Sequence, residues 1–254
     1  MISSEQHVQN QVRLSFQLGY RLLDTASGYF NEEQIGKAII QSELNREEIF
    51  ITSKMRISEQ GYDNTLKAFE KSLVSLGVEY LDLYMLHWPI PNKYLETYKA
   101  VERLYSEGLV KSIGISNFQI KHFEILLKKC SILPSVNQIE LHPYLTQKEL
   151  IKYYSKFNIK IEGYSPLAIG KVLDDKLLNN IAFTHKKTVS QIVLRWHLQN
   201  GVIPIPKAIT LSHLAENIDI FDFVLSNDEM HKIDSLDKGL RTCVYPDILK
   251  GDYN

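Results

Sequence analysis

The sequence predicts a parallel α/β barrel of the (β/α)8 TIM type that lacks its first strand. Three observations carry this expectation. Short β-rich runs alternate with helical patterns from one end of the 254 residues to the other, which implies parallel strands joined by crossovers. Polar residues recur at or near the carboxyl ends of the strand runs, the rim where α/β barrels build active sites. No Gly-x-Gly-x-x-Gly follows the first strand run, which disfavours a dinucleotide-binding open sheet.

The elements follow in order. His7–Leu18 carries Val8, Val12 and Phe16 near helical spacing and reads as a helix. Strand runs then fall at Tyr20–Ala26, Ile49–Lys54, Leu81–His87, Lys111–Ser116, Val136–Leu141, Ile159–Ser165 and Val202–Lys207, seven in all. The stretches between them read as helices. After the second strand, Leu66, Phe69, Leu73 and Leu76 form a helical stripe. Thr146 with Glu149, and Ser226 with Glu229, look like capping boxes. No linker, repeat or low-complexity segment interrupts the rhythm, so residues 1–254 are expected to form one barrel domain. A helix ahead of the first visible strand implies a strand before it, and none is present.

Composition narrows the function. Hydrophobic residues make up 44% and charged residues 23%, ordinary for a soluble globular protein. The formal net charge of -1 offers no case for nucleic acid or an anionic membrane. Cys130 and Cys243 are the only cysteines, too few for a disulfide framework, so a reducing, cytoplasmic setting is expected. The N-terminus has no apolar signal region, and no run approaches the ~20 residues of a membrane span.

Four residues suggest chemistry. Asp24 lies late in its apolar strand, where a carboxylate is costly without a cation. Lys54 ends the next strand, and neighbouring strands lie only ~4.8 Å apart. Tyr29 follows in the loop, and His87 caps the third strand. A phenol is a reluctant acid at neutral pH, and a nearby ammonium favours its phenolate. The carboxylate would hold the lysine, and the histidine would orient a substrate carbonyl. The product is a proton donor aimed at a carbonyl oxygen, which suits hydride delivery to the carbonyl carbon. Taken singly, each residue has a plainer explanation: a salt bridge, a surface aromatic, a hydrogen-bonded core histidine. Ser116 and Asn117 would pass as a helix cap and Tyr164 as core. Together and in order, they favour function. His142, His185 and His197 read as packing residues, and no metal-ligand spacing occurs.

The stretches GYRLLDTASGYFNEEQIGKAI (Gly19–Ile39), IFITSK (Ile49–Lys54), LYMLHWP (Leu83–Pro89), IGISNF (Ile113–Phe118), NQIELHPYL (Asn137–Leu145), GYSPLA (Gly163–Ala168) and IPIPKAITLSHLAENI (Ile203–Ile218) resemble aldo-keto reductases. The resemblance runs in the right order over essentially the whole chain. It is closest to the bacterial branch that reduces glyoxals, small dicarbonyls and diketogluconate-like keto-sugar acids. It implies an NADPH-dependent reductase of small aldehydes and ketones, cytoplasmic and monomeric. Tyr29 would be the general acid, Lys54 and Asp24 would tune it, and His87 would orient the carbonyl. Ser116, Asn117 and Gln138 would hold the nicotinamide carboxamide, and Tyr164 would stack on the ring. Ser165 and Leu167 would cover the pyrophosphate. Lys207, His213, Glu216 and Asn217 would hold the adenine end, with Lys207 near a 2′-phosphate.

The chain also departs from the family pattern. Members usually open with a small hairpin and a first barrel strand, whereas this sequence begins in the first barrel helix. The resemblance therefore implies an open strand edge, which favours association. Ala208 stands where Ser is usual, and His213 where Arg is common. Because histidine is only partly charged and lacks the guanidinium fork, NADH should be tolerated beside NADPH. Arg56 replaces a frequent Trp and Phe30 a frequent Gly, so both could shape the substrate mouth; Arg56 either favours acidic substrates there or simply points to solvent. Two alternatives stand beside the reductase: a cofactor-binding regulatory subunit, and a catalytically impaired barrel.

Overall fold

The computed structural model describes residues 4–208 and 210–244. The chain divides into two compact units, one ending at Asn137 and the next beginning at Gln138. Seven strands form among the described residues: β1 (Leu22–Asp24), β2 (Phe50–Met55), β3 (Leu83–Leu86), β4 (Ile113–Ser116), β5 (Val136–Glu140), β6 (Lys160–Tyr164) and β7 (Val202–Ile205). Each overlaps one expected run. They hydrogen-bond in chain order, and β1–β2, β2–β3, β3–β4 and β6–β7 pair in parallel.

Parallel neighbours need a crossover, and helices supply it in every interval. Helix α1 (Ser4–Gln17) precedes β1. Then come α2 (Glu32–Ile40), α3 (Tyr62–Leu76), α4 (Tyr94–Ser106), α5 (Ile120–Leu127) and α6 (Lys148–Ser155). Two helices, α7 (Lys176–His185) and α8 (Val189–Gln199), join β6 to β7, and α9 (Leu211–Ile218) and α10 (Asn227–Asp234) follow. This is the (β/α)8 class of fold, and the eighth strand is not among the described residues. Strands β3, β4 and β5 are buried throughout, which is why they read as continuous apolar runs rather than alternating ones. No described helix is long and apolar enough to cross a membrane.

Two local expectations differ from what the structure shows. On α3, Phe69 and Leu76 are fully buried, but the rest of the buried face is Thr65, Ala68 and Ser72, not Leu66 and Leu73. The neighbouring helix α2 explains it. A Cβ on Gly36 would lie 2.6 Å from the Leu76 carbonyl oxygen, so the helices approach at backbone distance and small residues face the contact. At α10 the capping box forms, with Glu229 accepting from the Ser226 N–H at 2.7 Å. At Thr146 it does not. Its N–H and hydroxyl both donate to Asp237, and α6 starts two residues later with Gln147 at its cap. A carboxylate ninety-one residues away in sequence outcompetes the local cap.

Candidate active site

The strand register places the first group of residues. Met55, Leu86 and Ile115 lie level across β2, β3 and β4. Lys54 therefore sits one residue before that level, and His87 and Ser116 one residue beyond it. On β1, Asp24 pairs with Thr52, two residues before Lys54 on the same strand face. The Lys54 ammonium donates to Asp24 Oδ1 at 2.6 Å and to the Thr25 carbonyl at 2.9 Å. Lys54 has no solvent exposure, so this pairing is what makes its burial tolerable. Tyr29 lies in a single 3-10 turn, Ser27–Tyr29, just beyond β1. Lys54 Nζ is 5.4 Å from the centroid of its ring. The His87 ring stands edge-on to the same phenol, 5.8 Å between centroids. The four expected residues meet in one place.

Burial and the Lys54 charge push the His87 imidazole down to about 4 against the opposing pull of Asp24. It is neutral at physiological pH and has one N–H to give. Beside it opens a pocket of about 420 Å³ lined by Tyr29, Phe30, Arg56, Ile57, His87 and Trp88, among others. Phe30 is 77% exposed and holds a left-handed backbone at φ 54°. Arg56 lies over its ring at 5.2 Å and pairs with Glu59 at 2.9 Å. Arg56 thus lines the mouth, held there by a carboxylate.

Ser116 and Asn117 are buried at the end of β4. Asn117 Nδ2 donates to the His87 carbonyl at 3.0 Å and to Ser116 Oγ at 3.1 Å, with the backbone of Asn117 at φ 65°. In the second unit, Gln138 is buried on β5 and Tyr164 ends β6 half-buried. The turn that follows holds Ser165, Ala168, Ile169 and Gly170 at positive φ, the kind of backbone that forms anion-binding nests. Lys207 follows β7 and is exposed, as is His213 in α9. Asn217 is buried. Glu216 accepts from Thr188 Oγ1 at 2.7 Å, so it also serves the start of α8. Taken unit by unit, these are donor types that a nicotinamide dinucleotide uses: a buried amide and hydroxyl in the first unit, and a buried amide, a half-buried phenol ring and an exposed cation in the second.

Residues 2–238 match the aldo/keto reductase family model. The chain belongs to the aldo/keto reductase family. It is 51% identical to the glyoxal reductase of Bacillus subtilis (strain 168) over 94% of this chain and 86% of that one. It is 42% identical to the methylglyoxal reductase DkgA of Escherichia coli (strain K12), covering 98% and 91%. Among solved structures, a mutant of Gox0644 in complex with NADPH matches with a TM-score of 0.93 at 43% identity, covering 98% and 92%.

In this aldo/keto reductase, three carboxylates escaped the sequence reading. Glu59 accepts from Ser27 Oγ at 2.5 Å and from Arg56 N at 3.1 Å, tying the Tyr29 turn to the strand end that carries Lys54. Burial pushes its carboxyl up, but those bonds and the Arg56 charge leave it below its ordinary value. The Arg56–Glu59 spacing of three was a legible signal. Glu162 beneath Gln138, and Glu140 beneath the segment around Thr242, are carboxylates inside buried strands. Their burial in an apolar run was the clue that they had dedicated partners. The three histidines read as packing residues have structural partners: His142 binds Glu140, His185 binds Glu229, and His197 lies between the Val193 and Leu141 carbonyls. No group of three or more potential metal ligands occurs among the described residues.

Proposed function

We propose that this aldo/keto reductase uses NADPH to reduce the carbonyl of small aldehydes and ketones, dicarbonyls foremost, to alcohols. One observation carries the reading: a fully buried lysine, paired to Asp24, lies 5.4 Å from the ring of a half-exposed tyrosine that borders a neutral histidine. When bound, the dihydronicotinamide supplies a hydride to the carbonyl carbon. The Tyr29 hydroxyl donates its proton to the carbonyl oxygen. Lys54 stabilises the phenolate left behind, and Asp24 with the Thr25 carbonyl keeps the ammonium in place. The neutral His87 N–H holds the carbonyl oxygen within reach of Tyr29. Ser116, Asn117 and Gln138 would hold the carboxamide, Tyr164 would stack on the ring, and the turn at Ser165 and Leu167 would cover the pyrophosphate. Lys207, His213, Glu216 and Asn217 serve the adenine end. With histidine at 213 in place of the arginine fork, NADH is accepted as well.

The substrate class rests on the mouth. Tyr29, Phe30, Ile57 and Trp88 make its apolar walls and Arg56 its one cation, which suits small carbonyl compounds and their acids. Names among the relatives, glyoxal and methylglyoxal reductase, support the same class. Mixing protein, NADPH and methylglyoxal should consume NADPH absorbance. Tyr29→Phe should lower kcat ~10²–10⁴-fold, the usual weight of a general acid, and leave NADPH affinity unchanged. A wild-type chain that binds NADPH but reduces neither methylglyoxal nor a nitrobenzaldehyde would sink this reading.

A further inference from the structure

Glu162 sits in the middle of β6 with 2% of its surface exposed. A buried carboxylate is costly unless donors surround it. One donor is Gln138 on β5, itself 3% exposed, whose side-chain Nε2 lies 2.8 Å from Glu162 Oε2. Glu162 is two residues before Tyr164 and so projects to the same face of β6. The partner of Gln138 and the ring proposed to stack on nicotinamide therefore share a face.

The pairing has a direction. An amide has one donating end and one accepting end, and an ionised carboxylate only accepts. A hydroxyl or water beside Gln138 would tolerate either orientation of the amide. Glu162 tolerates one: the NH2 must face the carboxylate, and the carbonyl oxygen must turn the other way. With the carboxylate ionised the bond is charge-assisted, and the wrong orientation would then lose a strong donor and set two oxygens together.

We propose that Glu162 is a positioning residue that locks the Gln138 amide with Oε1 as the end offered to the cofactor, so that the enzyme recognises the NH2 of the nicotinamide carboxamide. This rests on Gln138 being a carboxamide ligand, as proposed above. A cofactor whose ring carries an acetyl group in place of the carboxamide has no NH2 to give, and the locked oxygen meets a methyl group instead.

The test is equilibrium binding to the full chain without carbonyl substrate. Affinities for NADP+ and for 3-acetylpyridine adenine dinucleotide phosphate are measured by calorimetry. Wild type should prefer NADP+ by ~3–10-fold, the weight of one hydrogen bond. Glu162→Ala should bring the ratio close to one, because the released amide turns over. Glu162→Gln, which offers Gln138 an acceptor or a donor, should give an intermediate ratio, and it stands in if the alanine variant does not fold. If either variant weakens both ligands equally and keeps the ratio, Glu162 is only structural and the proposal falls. Gln138→Leu separates the two layers. If it abolishes the preference while Glu162→Ala keeps it, the locking role alone fails. If Gln138→Leu keeps the preference, or wild type has none, Gln138 does not bind the carboxamide and both readings fail.

Discussion

Lys54 has no exposed surface, so its charge is supported only by what touches it. That support is Asp24 at 2.6 Å and the Thr25 carbonyl at 2.9 Å. Removing one member of such a pair leaves an uncompensated charge inside the protein. Asp24→Asn should therefore cost ~3 kcal/mol in urea unfolding. Adding Lys54→Met to it should recover much of the loss, because no buried charge remains. Equal destabilisation of the single and double variants would show that the pair is not the support. His87 makes a pH-dependent prediction. Its folded-state value of about 4 lies below the ordinary 6.5, so as pH falls the unfolded chain takes up the proton first. The stability this group contributes is complete above about 6.5 and is lost as pH falls from there toward about 4. The neutral ring proposed to hold a carbonyl persists over the same range. The kcat/KM profile should show no inflection from His87 between about pH 5 and 8. An inflection near 6.5 that disappears in His87→Gln would refute the neutral assignment.

At the scale of elements, β5 does more than fill the sheet. Glu140 is fully buried there, and its Oε1 accepts from the Thr242 N–H at 2.6 Å, the Thr242 hydroxyl at 2.7 Å and His142 Nε2 at 3.0 Å. The Cys243 N–H reaches Oε2 at 3.3 Å. Burial pushes this carboxyl up, but the His142 and Thr242 bonds overcome that and hold it at about 2, so it stays ionised at every physiological pH. One charged side chain thus clamps a segment that has no secondary structure of its own. That clamp sets Cys243 Sγ 3.6 Å from Ser165 Oγ, in the turn proposed to cover the pyrophosphate. Glu140→Gln weakens each of those bonds and leaves the strand intact. Trypsin should then cut after Arg241 at least ~10-fold faster, since each lost charge-assisted bond is worth ~1.5–3 kcal/mol and cleavage tracks local opening. An unchanged cutting rate would mean that other contacts hold the segment. The helices taught a related lesson. The Ser226 cap was legible because its partner lies three residues on, whereas Thr146 bonds to Asp237, which no local pattern reveals.

For the whole molecule, the prediction is that cofactor and fold are linked. A ligand at about 100 times its Kd stabilises the native state by ~2.7 kcal/mol. For a chain of this size that raises Tm by ~5–10 °C. A thermal melt with saturating NADPH should show that rise, and a Tm unchanged by either NADPH or NADH would refute cofactor binding. Much of the architecture was already readable. Each of the seven strand runs contains or overlaps an observed strand, because β-rich runs between helical stripes leave a parallel sheet few alternatives. The meeting of Asp24, Lys54 and His87 was also readable, because strand ends collect polar side chains that an apolar core rejects, and Tyr29 lies in the turn just beyond one such end. The sequence by itself therefore determined the class of fold and the family, and it named four residues that the fold brings together around Lys54. Tertiary structure decided which groups hold those residues in place. The Glu59 tie to Ser27, the Glu140 clamp on Thr242 and the Glu162 hold on Gln138 join positions 24 to 102 residues apart. Periodicity reports only neighbours along an element, and a hydrogen bond between distant elements exists only once packing brings donor and acceptor together.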